Sequence, residues 1–358
     1  MSTDAARSPL EVRLPQTFPV QPYVPDGGMS LGGALQLVGT LGLAGIILGG
    51  IASYLSRFFY LVLLFPIGIG LLLGWVGGRC IRAFKIRRPL TCGAAGFVAG
   101  CLAMLSLHYF DYRHFETTMA EEAGGDLELL RTIARNAEEI KAHPSDIPEE
   151  ERADVLAFID ELEKDPQLRR ALLVDSLGSY IDFAAHEGVE LKRGAGNGIN
   201  LGYWGSYIYW GLEALIVAGI AFGLMQGAAA EPFCGDCLEW KKSETWGPLS
   251  HPEAVEHSLR EGRIERFEFD PAATGPQVEV TVFRCPTCEE GGDLDVRVER
   301  LTRNSKGEVQ RTRTLQATYP AEAYAALEVA CTPPLAEPPP AASSAVVDAD
   351  ADGAPPAS

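Results

Sequence analysis

The residues whose types and spacing could do chemistry are two pairs of cysteines, Cys234-Gly-Asp-Cys237 and Cys285-Pro-Thr-Cys288, separated by 47 residues. A two-residue spacing lets both thiolates of a pair face one cation, and two such knuckles supply the four sulfurs of a closed tetrahedral site. The donor set reads as structural zinc, although iron takes the same four thiolates. A redox dithiol would need only one of the two pairs, on a strand and helix of another kind. Four sulfurs leave no coordination position for water, so hydrolytic chemistry at the metal is not expected. The other cysteines, Cys80, Cys92, Cys101 and Cys331, lack mutual spacing and read as packing residues, with Cys80 also a candidate for acylation beside a basic loop.

A second candidate is a lone carboxylate. Glu213 falls near the middle of the apolar run WGLEALIVAG, where an ionised group is expensive and is a functional hypothesis by default. Proton or cation movement would use it; a neutral carboxyl, hydrogen-bonded within a bundle, is the plainer reading. By depth the nearest polar partners are Thr40 and Gln36. His108 and Asp111, at the outer end of their own apolar run, are expected to lie too shallow to pair with it.

The elements that position these groups follow from how charge and apolarity are distributed. The 358 residues include 30 basic and 48 acidic ones, a net charge of −18, yet 47% of the chain is hydrophobic, and mean hydropathy is +0.04. Those values coexist only if charged and apolar residues occupy different stretches. An overall pI near 4.8 argues against nucleic acid as a partner, because phosphate binding needs a basic surface.

Four stretches approach the ~20 apolar residues that a helix needs to cross ~30 Å of hydrocarbon. They are residues 31–54, 57–78, 89–110 and 204–226, so the fold class is a membrane α-helical protein with four transmembrane helices. Residues 1–30 hold five prolines and no short apolar core followed by a cleavage site, so they read as a disordered tail, with the first helix as insertion signal. Between the second and third spans come Arg79, Arg82, Lys85, Arg87 and Arg88 with no acidic residue, a cytoplasmic marker. Both termini are therefore expected in the cytosol, with the plasma membrane or a bacterial inner membrane as location. Glycines four apart recur in every span (Gly45 and Gly49; Gly70, Gly74 and Gly78; Gly96 and Gly100; Gly219, Gly223 and Gly227). Such faces let helices approach closely, within one bundle or between copies in a homo-oligomer.

Residues 113–203, with 10 basic against 20 acidic residues, form the expected extracytoplasmic segment. Leu127, Leu130, Ile133, Ala137 and Ile140 recur at helical spacing; a second helix follows Pro148 and a third opens at Pro166. Aromatic residues flank the membrane ends of this segment: Tyr109, Phe110, Tyr112 and His114 on one side, Trp204, Tyr207, Tyr209 and Trp210 on the other.

Residues 228–331 make up a cytosolic domain. Strands are expected at 277–283, 294–301 and 309–319, the last two joined by a turn at Asn304-Ser305-Lys306-Gly307, and a helix at 252–263. With its two knuckles and flanking strands this part resembles the zinc-ribbon class, which implies a zinc site made by all four cysteines. It departs from a simple ribbon in the long insert between knuckles and in lacking a glycine after Cys237 and Cys288. Basic residues from Arg297 to Arg313 are expected to balance the acidic insert around Glu253, Glu256 and Glu261 rather than to bind anionic headgroups. Residues 332–358 are Pro/Ala-rich and read as disordered.

No nucleophile and base pair, histidine cluster or nucleotide motif occurs, so no enzyme is expected. The reading is an integral membrane protein with a structural zinc module used for assembly or contact with a protein partner. Two alternatives are a transporter-like or proton-linked component centred on Glu213, and a zinc or redox sensor acting through the thiolates.

Overall fold

The computed structural model describes residues 14–25, 27–58, 64–191, 198–271, 275–288 and 292–333. In chain order the elements begin with β1 (Gln16–Thr17), β2 (Gln21–Pro22), α1 (Leu31–Ser56), α2 (Leu64–Phe84) and α3 (Pro89–Glu122). Next come α4 (Leu127–Arg135), α5 (Ala137–Ala142), α6 (Glu149–Lys164), α7 (Pro166–Leu172), α8 (Leu177–Glu187), β3 (Glu190–Leu191), β4 (Ile199–Asn200) and α9 (Gly202–Ala229). The remainder is β5 (Phe233–Cys234), β6 (Glu239–Trp240), β7 (Lys242–Leu249), α10 (Pro252–Arg260), β8 (Arg263–Ile264), β9 (Gln277–Arg284), β10 (Leu294–Arg303), β11 (Val309–Tyr319) and α11 (Ala323–Cys331). These fall into two compact units, Pro25–Trp240 and Met1–Val24 with Lys241–Ser358.

In the helical unit, α1, α2, α3 and α9 are long and apolar enough to cross a membrane. Even α2, the shortest at 21 residues, extends ~32 Å at 1.5 Å per residue. Ser30 caps α1 by accepting from the Gly33 amide, and Pro89 opens α3 where its missing N–H is harmless. Large apolar side chains such as Leu35, Val38, Ile47, Leu72, Val98 and Leu215 point outward. Inside, the helices meet through glycines. A Cβ on Gly49 would stand 2.4 Å from the Ala103 carbonyl oxygen, and one on Gly100 2.6 Å from Ala218 Cα, so neither position admits a larger residue without moving a backbone. Gly219, Gly223 and Gly227 have nothing within 4 Å of such a Cβ, so the α9 stripe is unused by the bundle among the described residues.

Several helix boundaries differ from the sequence expectation. The basic segment expected as a loop from Arg79 is helical through Phe84, because α2 runs on past its apolar stretch; the connection narrows to Lys85–Arg88, with Lys85 at φ 55°. Likewise α3 continues to Glu122, well beyond residue 110, since nothing after the aromatic cluster breaks a helix until Gly124 and Gly125. The start of the second span at residue 57 falls partly outside the described residues, and α2 begins at Leu64.

Helices α4 to α8 make a small layer around Leu127, Ala134, Leu162 and Leu172, with Ile133, Ala137 and Ile159 in a second cluster. Arg131 is buried in it, donating to the Val174 carbonyl at 2.6 Å and to Glu128 at 3.0 Å. The helix expected from Pro166 is broken at Leu173–Ser176, where Ser176 and Ser179 form a reciprocal cap that starts α8.

The second unit is built on a five-stranded antiparallel sheet in the order β2-β11-β10-β9-β7. Alternate residues Val278, Val280 and Val282 of β9, and Val296 and Val298 of β10, pack with Val255 and Leu259 of α10 and with Ala326, Leu327 and Ala330 of α11. The Tyr319 hydroxyl donates to the Leu259 carbonyl within this core. Near the turn of the β10–β11 hairpin, Arg300 forks onto Glu256 at 3.0 and 3.1 Å, and Arg311 pairs with Glu279, so these basic residues meet acidic partners of their own unit.

Residues 1–30, expected as a disordered tail, carry structure from Leu14 onward. β1 pairs with β8 and β2 completes the sheet beside β11, while Leu14, Phe18 and Val20 pack on the core. The proline-rich composition fits this role, since an edge strand need not donate from every residue. Gly262, at φ 73°, admits the approach: the Phe18 amide donates to its carbonyl at 2.9 Å, and a Cβ there would overlap the Phe18 carbonyl. Residues 1–13 and most of the expected C-terminal tail, 334–358, lie outside the described residues.

Candidate metal centre

The first knuckle is the turn between β5 and β6, whose antiparallel pairing sets Cys234 against Glu239 and Phe233 against Trp240. Within the helical unit this hairpin sits on the α2–α3 connection. The Arg87 guanidinium lies 4.2 Å from the centre of the Phe233 ring, the Phe233 and Trp240 rings meet edge to face at 5.1 Å, and Trp240 Nε1 donates to the Arg82 carbonyl at 3.0 Å. Arg82 is further tied to Glu231 through both carboxylate oxygens at 2.8 Å. The residue after Cys237 is Leu238, and its φ of 54° is left-handed. That is the conformation a glycine would adopt freely, so the missing glycine is felt as strain at this position.

The second knuckle follows directly from β9. Cys285 is the residue after Arg284, the end of a strand held between β7 and β10, and the turn Pro286–Cys288 carries its second sulfur. Lys241 and Asp295 anchor the adjoining sheet: Lys241 Nζ lies 2.7 Å from Asp295 Oδ2 and donates to the Asp293 carbonyl at 2.7 Å, while Thr318 Oγ1 donates to the other carboxylate oxygen.

The sulfurs of Cys234, Cys237, Cys285 and Cys288 all lie within 4.8 Å of one another, with Cys234 and Cys285 buried and Cys237 and Cys288 half-buried. A metal–sulfur bond of ~2.3 Å in a tetrahedron places sulfurs ~3.8 Å apart, so the four side chains present fit one metal ion with only small adjustment. Zinc and iron are equally compatible with this donor set. The other cysteines stand apart from the group: Cys92 and Cys331 are buried in their respective cores, Cys80 is half-buried and Cys101 is exposed on α3. Burial pushes the Cys331 thiol up to about 12.

Glu213 is buried in the helical bundle at 3% exposure, and Tyr209, one turn before it, donates its hydroxyl to Oε1 at 2.6 Å. His108 and Asp111, expected too shallow to pair with Glu213, face the same space as it does. All three residues line one cavity of about 290 Å³. The reason lies in the register of α3 against α9. Gly100 packs on Ala218 and His108 meets Trp210, so His108 stands within about one turn of Glu213 and Asp111 about one turn further along α3. His108 meets Trp210 edge to face at 5.3 Å, and Asp111 accepts from the Ser53 hydroxyl of α1. Neither Thr40 nor Gln36 lines the cavity. Tyr209 and Ser53 escaped sequence reasoning as partners; the i,i+4 spacing of Tyr209 and Glu213 on one helix was the available signal.

No protein-family model matches the chain, and no curated protein or solved structure matches it either. The functional reading therefore rests on the site itself.

Proposed function

We propose that this chain is an integral membrane protein without catalytic activity, in which Cys234, Cys237, Cys285 and Cys288 hold one structural zinc ion and the adjoining β unit serves assembly or binds a protein partner. The observation that carries the reading is the convergence of four cysteine sulfurs within 4.8 Å of one another. The bound ion would cross-link its four thiolates, which together fill a tetrahedral shell.

The proposed topology has residues 1–30, the α2–α3 connection and everything after α9 in the cytosol, and α4 to α8 on the far side. Strands β1 and β2, before the first candidate span, and β7 to β11, after the last, belong to one sheet unit. That arrangement supports an even number of crossings, and Lys85, Arg87 and Arg88 favour the cytosolic side for it. The glycine stripe of α9 is the face proposed for contact with a second copy.

Metal analysis of the full-length protein, purified without chelator, tests the reading. One zinc per chain is expected, and less than a tenth of that in Cys234→Ser or Cys285→Ser. Iron in place of zinc, or full occupancy in either variant, would overturn the assignment.

A second reading, proton-linked movement through Glu213, is favoured by the burial of that carboxyl beside a cavity. Its test is flux in proteoliposomes: Glu213→Gln should leave expression intact and abolish a pH-gradient-dependent signal.

A further inference from the structure

The cavity shared by α3, α8 and α9 has a composition of its own. Its polar groups include two carboxylates, Asp111 and Glu213, and its walls include the rings of Tyr180, Tyr209 and Trp210 together with His108. No lysine or arginine is among the described residues that line it. Arg57, at the end of α1, acts electrostatically on Asp111 from outside the lining. The cavity's volume of about 290 Å³ sits at the lower edge of the ~300–1,000 Å³ of small-molecule clefts.

The two carboxylates are held by different elements and by neutral donors. Tyr209 fixes Glu213 Oε1, and Ser53 fixes Asp111 Oδ1. Hydroxyl donors orient a carboxyl group without supplying a positive charge, so a cation entering the cavity would be the group that favours ionisation of both. Aromatic faces add the same preference through their quadrupoles, and they favour a cation with an apolar body over a hydrated metal ion. Anions are disfavoured by both features.

We propose that this cavity is a binding site for a small organic ammonium ion, with the charged nitrogen attracted by the carboxyl groups of Asp111 and Glu213 that line it and the apolar body against Tyr180, Tyr209 and Trp210. The site shares Glu213 with the proton-linked reading but requires binding only. A protein that takes up the ligand and moves nothing would refute that reading and leave this one intact. It is also independent of the cysteine site.

The test uses full-length protein in lipid nanodiscs, with benzylammonium chloride as probe and benzyl alcohol as its neutral counterpart. Binding is read by calorimetry and by the change in tryptophan fluorescence. Saturable binding of benzylammonium is expected, with affinity for benzyl alcohol at least tenfold weaker. Asp111→Asn and Glu213→Gln, each retaining an oxygen to accept the Ser53 or Tyr209 hydrogen bond, should each weaken benzylammonium at least tenfold while eluting as folded protein. Trp210→Leu should remove most of the fluorescence response. No saturable binding, equal affinity for the alcohol, unchanged affinity in both carboxamide variants, or displacement by sodium at concentrations similar to the probe would each overturn the proposal.

Discussion

The Lys241–Asp295 pair is the interaction on which the β unit should prove most dependent. The two side chains are 8% and 4% exposed and 2.7 Å apart. The carboxylate has Thr318 on its other oxygen, and the ammonium has the Asp293 carbonyl. Removing one partner of a buried pair leaves the other charged group without compensation, which costs about 3–5 kcal/mol, whereas replacing both with apolar residues is often neutral. Asp295→Ala should therefore raise the population of opened β unit by roughly a hundredfold or more. Lys241→Met combined with Asp295→Leu should recover most of that loss. A reporter is already present in the same core: Cys331 is fully buried, its thiol pushed up to about 12 by that burial, so maleimide reaches it only when the unit opens. Peptide mapping of maleimide adducts against urea concentration reads the midpoint for this one residue. The reasoning fails if Asp295→Ala labels at the wild-type midpoint, or if the double variant is no better than the single one.

Four further outcomes are expected. Gly49→Val and Gly100→Val should each destabilise the bundle by about 1–3 kcal/mol or prevent its assembly, since each forces backbone apart, while Gly219→Val should leave monomer stability unchanged; thermal unfolding in detergent compares them. Leu238→Gly should relieve about 1 kcal/mol of left-handed strain in the first knuckle and raise the chelator concentration needed to strip the metal. Tyr319→Phe should cost about 1–3 kcal/mol by leaving the Leu259 carbonyl buried without its donor, seen as a lower urea midpoint. Exposure to hydrogen peroxide at physiological levels should leave the metal content unchanged if the cysteines are structural, whereas reversible loss would favour a sensor.

Long apolar runs made the four helices legible, and alternation did the same for β9 and the first half of β10, whereas β11 alternates only from Leu315 to Tyr319. The cysteine site was legible for a different reason: two short spacings carry it, whatever lies between them. What escaped were features set by pairing across the chain. β1 and β2 are two residues each, too short for any period, and their partners lie more than 240 residues away at Ile264 and Ala317. Among the prolines, only Leu14, Phe18 and Val20 hinted that the segment had a face to bury. The shared cavity escaped because it depends on the register of α3 against α9, which close packing at Gly96 and Gly100 sets and no apolar run reveals.

Strand β2 has a consequence for the order of events at the ribosome. Residues 21–22 are made early and their partners at 317–318 nearly 300 residues later, an interval of about 15–60 s at ~5–20 residues per second. All four long helices are synthesised in between. The sheet cannot close on a nascent chain, and an early release product that stops within β10 leaves β2 with no strand to join. Completion of this edge thus registers that translation has reached β11, and a chain interrupted before β8 carries Leu14, Phe18 and Val20 without the strand that β1 pairs with, a signal of the kind that proteases and chaperones read.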